Sequence, residues 1–154
     1  MAVGTKVKRR ERVPESILSD LPSKDDRQFK AYVVYLILTK ETEKAIELVS
    51  TKYNVRIPRL RIGISKGMKR ALGVYSVEAN AISFKDQEQY FDPFVVLHEM
   101  YHCIRSRSGS HRGNEKNADK FALDYIAVYN EFAKAAVYRE KQIDTDEKSK
   151  PTVD

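Results

Sequence analysis

Between Pro93 and Ile104 the chain reads PFVVLHEMYHCI, a run apolar enough to be buried on nearly every side of a helix yet interrupted by two histidines and a glutamate. A helix apolar almost all round belongs in an interior, and polar groups taken inside need partners. Whatever this chain folds into must wrap other elements around the segment and satisfy His98, Glu99 and His102. The start of the helix is well marked, with Asp92 as N-cap and Pro93 at the first helical position. Its end is expected near Gly109.

Four residues along a helix rotate by about 400° and rise about 6 Å, so His98 and His102 project from one face, a turn apart. Two imidazoles so spaced hold one tetrahedral Zn²⁺ ion. Glu99 is turned about 100° from His98 and is placed to hold a water on the metal rather than the metal itself. The plainer reading is a pair of hydrogen-bonded core histidines. A zinc that acts on a substrate takes a third protein ligand and leaves its fourth position to water.

Two candidates for that third ligand follow, His111 and Glu115. The extended pattern HExxHxxGxxH requires glycine at 105 and histidine at 108, where this chain has Arg105 and Ser108. Glu115 opens a last long helix capped by Asn114, on the stripe of Ala118, Ala122 and Tyr125, and is expected to face the histidine-bearing helix. Asp119, one turn on, is placed to orient a ligand histidine by accepting its second N–H. Taken alone, Glu115 is also an ordinary acid at a helix N-terminus, favoured there by the dipole, and Asp119 an ordinary surface residue. Cys103 reads as a small buried hydrophobe.

The rest of the chain bounds the fold. A length of 154 residues suits one domain, burying about 70% of its unfolded surface. Residues 1–14 read as a flexible basic arm, 15–141 as the single domain and 142–154 as a disordered polar tail. Ser23–Lys52 has helical periodicity, with a break near Thr39. Residues 55–64 alternate as an edge strand beginning near Pro58. The segments 72–77 and 81–84 resemble a hairpin. The fold class expected is therefore α+β, one helical region and three strands before two site-bearing helices.

The longest apolar run, AYVVYLIL, is far below the roughly 20 residues a bilayer demands, so no membrane partner is expected. A single cysteine forbids an internal disulfide, and no secretory pattern follows the basic start, so a reducing cytoplasm is expected. The formal net charge is +6, and Arg56, Arg59, Arg61, Lys66, Lys69 and Arg70 fall in a stretch without any acid; Arg105, Arg107 and Arg112 follow the histidines. These read either as a solvated surface or as a basic rim for an acidic peptide or a protein lying on nucleic acid. No zinc-finger, homeodomain or RNA-binding signature accompanies them.

The run HEMYH, a short loop, then EKNADKFA resembles the ImmA/IrrE-like minimal zinc metallopeptidases, whose signature is HExxH followed by an ExxAxxFA helix; Asn114–Asp119 is also similar to the gluzincin NExxxD arrangement. The resemblance covers about residues 55–127. It implies a zincin-like core, an N-terminal helix and a three-stranded sheet over two active-site helices. It implies one Zn²⁺ held by His98, His102 and Glu115, with Glu99 as general base activating the attacking water for hydrolysis of a peptide bond in a peptide or protein substrate. It also implies that an edge strand within 72–84 binds the peptide backbone. The chain departs from relatives in its short basic interval Cys103–Gly113 and in having no helix-turn-helix before the motif. An oxyanion donor is still needed; His111 is the foremost candidate, with Arg112 and Tyr101 behind it, although His111 also reads as a plain loop residue. Two other classes compete: a zinc-stabilised, catalytically silent binding or regulatory module with a basic surface for nucleic acid or a nucleoprotein, and a nucleic-acid-binding protein without metal.

Overall fold

The interior is organised around the segment the sequence singles out. In a computed structural model that describes residues 26–68, 70–107 and 115–149, helix α4 (Pro93–Arg107) lies between a small sheet and the long helix α5 (Glu115–Ser149). Its residues Val95, Val96, Leu97, Met100 and Cys103 are buried, as its all-round apolar pattern demands. The Asp92 carboxylate accepts hydrogen bonds from the backbone N–H groups of Phe94, at 2.8 Å, and Val95, at 3.4 Å, which satisfies donors left orphaned at a helix start.

Helices α1 (Asp26–Leu38) and α2 (Thr42–Lys52) precede the sheet. The periodicity from 23 to 52 is thus split where a break near Thr39 is expected. Lys40 sits in the left-handed region at φ 68, and the Glu41 N–H returns to the Leu36 carbonyl at 2.7 Å, a closing bond that ends a helix without glycine. Val33, Ile37, Ile46 and Val49 carry the apolar face of both helices into the core shared with α4 and α5. Ion pairs Arg27–Glu131, Lys30–Asp124 and Lys52–Asp26 tie α1 to α5 and to α2.

The sheet has the order β1 (Arg59–Ile62), β3 (Ala81–Phe84), β2 (Gly73–Ser76). β2 and β3 form the expected antiparallel pair, whereas β1 pairs parallel to β3, with Leu60 opposite Ile82. Both β1 and β2 are edges. β1 is shorter than the strand expected over 55–64, with buried Pro58 immediately before it. Ile82 and Phe84 face the core, where the short helix α3 (Gln87–Tyr90) packs Tyr90 edge-on against Phe84.

One expectation about the C-terminal region is corrected. Residues 142–149, expected as a disordered tail beyond a domain ending at 141, continue α5 as helix to Ser149. From Glu115 to Ser149 there is neither glycine nor proline, and polar helix formers propagate an established helix without tertiary support. Gln142 donates to the Tyr138 hydroxyl one turn back. The apolar stripe of α5 is covered only in its first half: Ala118, Ala122, Tyr125 and Val128 are buried, while Phe132 and Val137 are exposed. The basic arm, residues 15–25, Asn114, His111, Arg112 and residues 150–154 lie outside the described residues. No helix among those described is long and apolar enough to cross a membrane.

Candidate metal centre

Three expected ligands converge. His98 and His102, a turn apart on α4, bring their Nε2 atoms to 3.3 Å. Glu115, at the first residue of α5, places Oε2 at 2.9 Å from His98 Nε2 and Oε1 at 2.9 Å from His102 Nε2. One ligand atom from each lies within 4.8 Å of the others, a set able to hold a metal ion. Asp119 Oδ1 lies 2.8 Å from His98 Nδ1, the contact that α5 delivers one turn after Glu115.

The donor chemistry of this set asks for a cation. An ionised carboxylate only accepts hydrogen bonds, so the contact with Asp119 has His98 Nδ1–H donating, and the tautomer with its single ring proton there carries a lone pair at Nε2. That lone pair faces another imidazole nitrogen and a carboxylate oxygen. In the tautomers that leave both Nε2 atoms unprotonated, a cation at the centre would satisfy the two nitrogens and the Glu115 carboxylate at once. The spacing agrees with zinc: two imidazole nitrogens at about 2.0–2.1 Å from a tetrahedral ion sit about 3.3 Å apart. Burial lowers the His102 pKa, opposed by the Glu115 carboxylate and reinforced by His98, so its ring is kept in the neutral form that ligates metal.

Glu99 takes another position. Its Oε1 lies 4.0 Å from His98 Nε2, beyond a direct hydrogen bond and displaced from the three ligand atoms. The residue is 7% exposed, and burial pushes its carboxyl up to about 6, against the pull of His98 and of the Tyr75 backbone N–H and with repulsion from Glu115. Two features of β2 that the motif does not reveal hold it there. The Tyr75 N–H reaches from the strand to the carboxylate. Gly73 lies so close that a Cβ there would sit 3.0 Å from both Glu99 Cγ and Val95 Cγ1. Glycine inside a strand is the one sequence sign of such an approach.

A cleft of about 250 Å³ opens beside these groups, lined by Leu72, Gly73, Phe94, His98, Glu99 and Glu115 among others. Phe94 packs near the His98 ring. Tyr101, a weaker oxyanion candidate, packs its ring against His102 and Phe121. The foremost candidate, His111, lies outside the described residues. Cys103 is buried on the same helix, where burial raises its thiol pKa.

No protein-family model, no curated protein and no solved structure matches this chain. What the site can do therefore rests on its own chemistry.

Proposed function

We propose that the protein is a zinc-dependent endopeptidase with a zincin-like core of the ImmA/IrrE-like kind. The observation that carries this reading is the meeting of three possible ligand atoms, two imidazole nitrogens and a carboxylate oxygen, beside a buried carboxylate that is not one of the three.

His98, His102 and Glu115 would hold the ion, and Asp119 would fix the His98 tautomer. Bound zinc supplies a Lewis acid for the scissile carbonyl and lowers the pKa of water to about 7. Glu99 accepts the proton of the attacking water and passes it to the leaving amine, held in place by the Tyr75 N–H and the bare Gly73 backbone. Substrate would enter along β2. Leu72 turns its carbonyl to the N–H of Lys85, just past β3, so the groups of Gly73 point to the open edge by the alternation of an antiparallel ladder. A peptide added there as a strand lies along the cleft. The single buried thiol agrees with a reducing cytoplasm.

Glu99→Gln tests the reading. With zinc content unchanged, cleavage of an unstructured protein such as casein is expected to fall by about 10² to 10⁴. Equal cleavage by both proteins, or none by zinc-loaded wild type across a broad peptide library, would leave the zinc-stabilised binding module as the better account.

A further inference from the structure

We propose that the sheet face turned away from the metal centre binds the phosphate backbone of nucleic acid. This surface stands apart from the peptidase reading and does not depend on it.

Strand register sorts the side chains. Ile62, Phe84 and Gly73 stand in one row and Leu60, Ile82 and Tyr75 in the next. Since Gly73 faces Val95 and Glu99 of α4, and Ile82 and Phe84 are buried, both rows face inward. The alternate rows, Arg59–Ala81–Ser76 and Arg61–Ser83–Val74, face the other way. Lys85, one residue past β3, continues that outward alternation.

Arg59, Arg61 and Lys85 are exposed, and none forms an ion pair among the described residues. No Asp or Glu occurs between Asn54 and Val77, the stretch that carries Arg59 and Arg61, whereas Lys85 is followed by Asp86. Arg59 and Arg61 are two residues apart on an edge strand, about 7 Å along the same face, and Lys85 flanks them one strand over. The rest of the two rows is Ala81, which is buried, and Ser83, Ser76 and Val74, which are half-buried.

A row of exposed cations along a sheet suits a regularly charged polymer. Guanidinium groups take phosphate oxygens in a bidentate way, and serine hydroxyls are common phosphate donors. No aromatic side chain stands in the outward rows, so bases have nothing to stack on. Contact is with the backbone and indifferent to sequence, and a duplex is the form favoured. An acidic peptide or an anionic membrane would be a different partner, and the test separates them.

The experiment measures anisotropy of a labelled random-sequence DNA duplex of about 20 base pairs against the full chain over a salt series. It compares wild type, Arg59→Glu/Arg61→Glu/Lys85→Glu, and a control with equal net charge, Lys134→Glu/Arg139→Glu/Lys141→Glu on the exposed end of α5. A milder triple glutamine variant at 59, 61 and 85 is run alongside, with circular dichroism verifying the fold of each. Wild type is expected to bind with a log–log salt slope of about −3, the value for three phosphate contacts. The sheet-face variants are expected to bind at least tenfold more weakly with a flatter slope, and the control within threefold of wild type. Three results would overturn the proposal: no duplex binding by wild type at low salt, equal loss in both charge-reversed variants, or tighter binding of polyglutamate or anionic vesicles than of the duplex.

Discussion

α4 presents His98, Glu99 and His102 with side chains only 13, 10 and 19% exposed, whereas Glu115 at the head of α5 is 74% exposed. Both helices supply the same centre, and they do so under opposite constraints. The α4 groups are held by a packed core around Val96, Leu97 and Met100, with little freedom to rearrange. Glu115 sits on a helix end in solvent, placed by the packing of Ala118 and Ala122 one and two turns later. The centre thus joins a preorganised half to an adjustable one. Chemistry that tolerates little displacement, the Glu99 carboxylate, belongs to the rigid half.

The rigid half can be disturbed without touching a ligand. Gly73→Ala puts a methyl group against Glu99 and Val95. A Cβ 3.0 Å from Glu99 Cγ makes that side chain give by a few tenths of an ångström; as about 1 Å costs about 10² in rate, cleavage is expected to fall by about 3- to 10-fold while zinc content stays at the wild-type value. If activity survives intact, Glu99 is not held by the strand as described. On the α5 side, Asp119→Asn removes the carboxylate facing His98 Nδ1 and should weaken zinc affinity by about 10- to 100-fold, read by competition with a chelating dye. An unchanged affinity would mean that α4 alone fixes the His98 ring.

The smallest effect lies in the scaffold behind both helices. Asp26 pairs with Lys52 and Lys30, and Lys30 also reaches Asp124 of α5. The Lys52 hydrogen bond, opposed by partial burial and aided by Lys30, lowers the Asp26 pKa from its ordinary 3.8. A lowered native pKa contributes stability above the unfolded value that is lost as pH falls through the native one. Asp26→Asn is therefore expected to cost about 0.2–1 kcal/mol near neutrality, screened as for any exposed pair. Thermal melts should show the gap between wild type and variant closing below about pH 4; a gap that persists at lower pH would assign it to packing instead.

Local signals carried most of what the sequence made legible. Asp92 and Pro93 announce α4, the HEMYH spacing places two ligands on one face, and the alternation around 72–84 gives the hairpin. The end of α1 at Lys40 has no glycine to mark it, since the left-handed residue is a lysine. The parallel pairing of β1 with β3 is a contact between segments some twenty residues apart and has no local signature. The extension of α5 to Ser149 was hidden because a polar tail and a solvent-exposed helix share a composition. The restraint on Glu99 by Gly73 and Tyr75 passes through space from another element, beyond what spacing within a motif can report.

The central claim is that His98, His102 and Glu115 meet because they hold a cation. Metal analysis of the purified chain tests it most directly, with zinc counted per molecule in wild type and in Glu115→Ala, and His111→Ala as a comparison. About one zinc per chain is expected in wild type and in His111→Ala, with loss in Glu115→Ala. A wild type that stays empty when zinc is supplied, or a Glu115→Ala variant that keeps its full complement, would contradict the account.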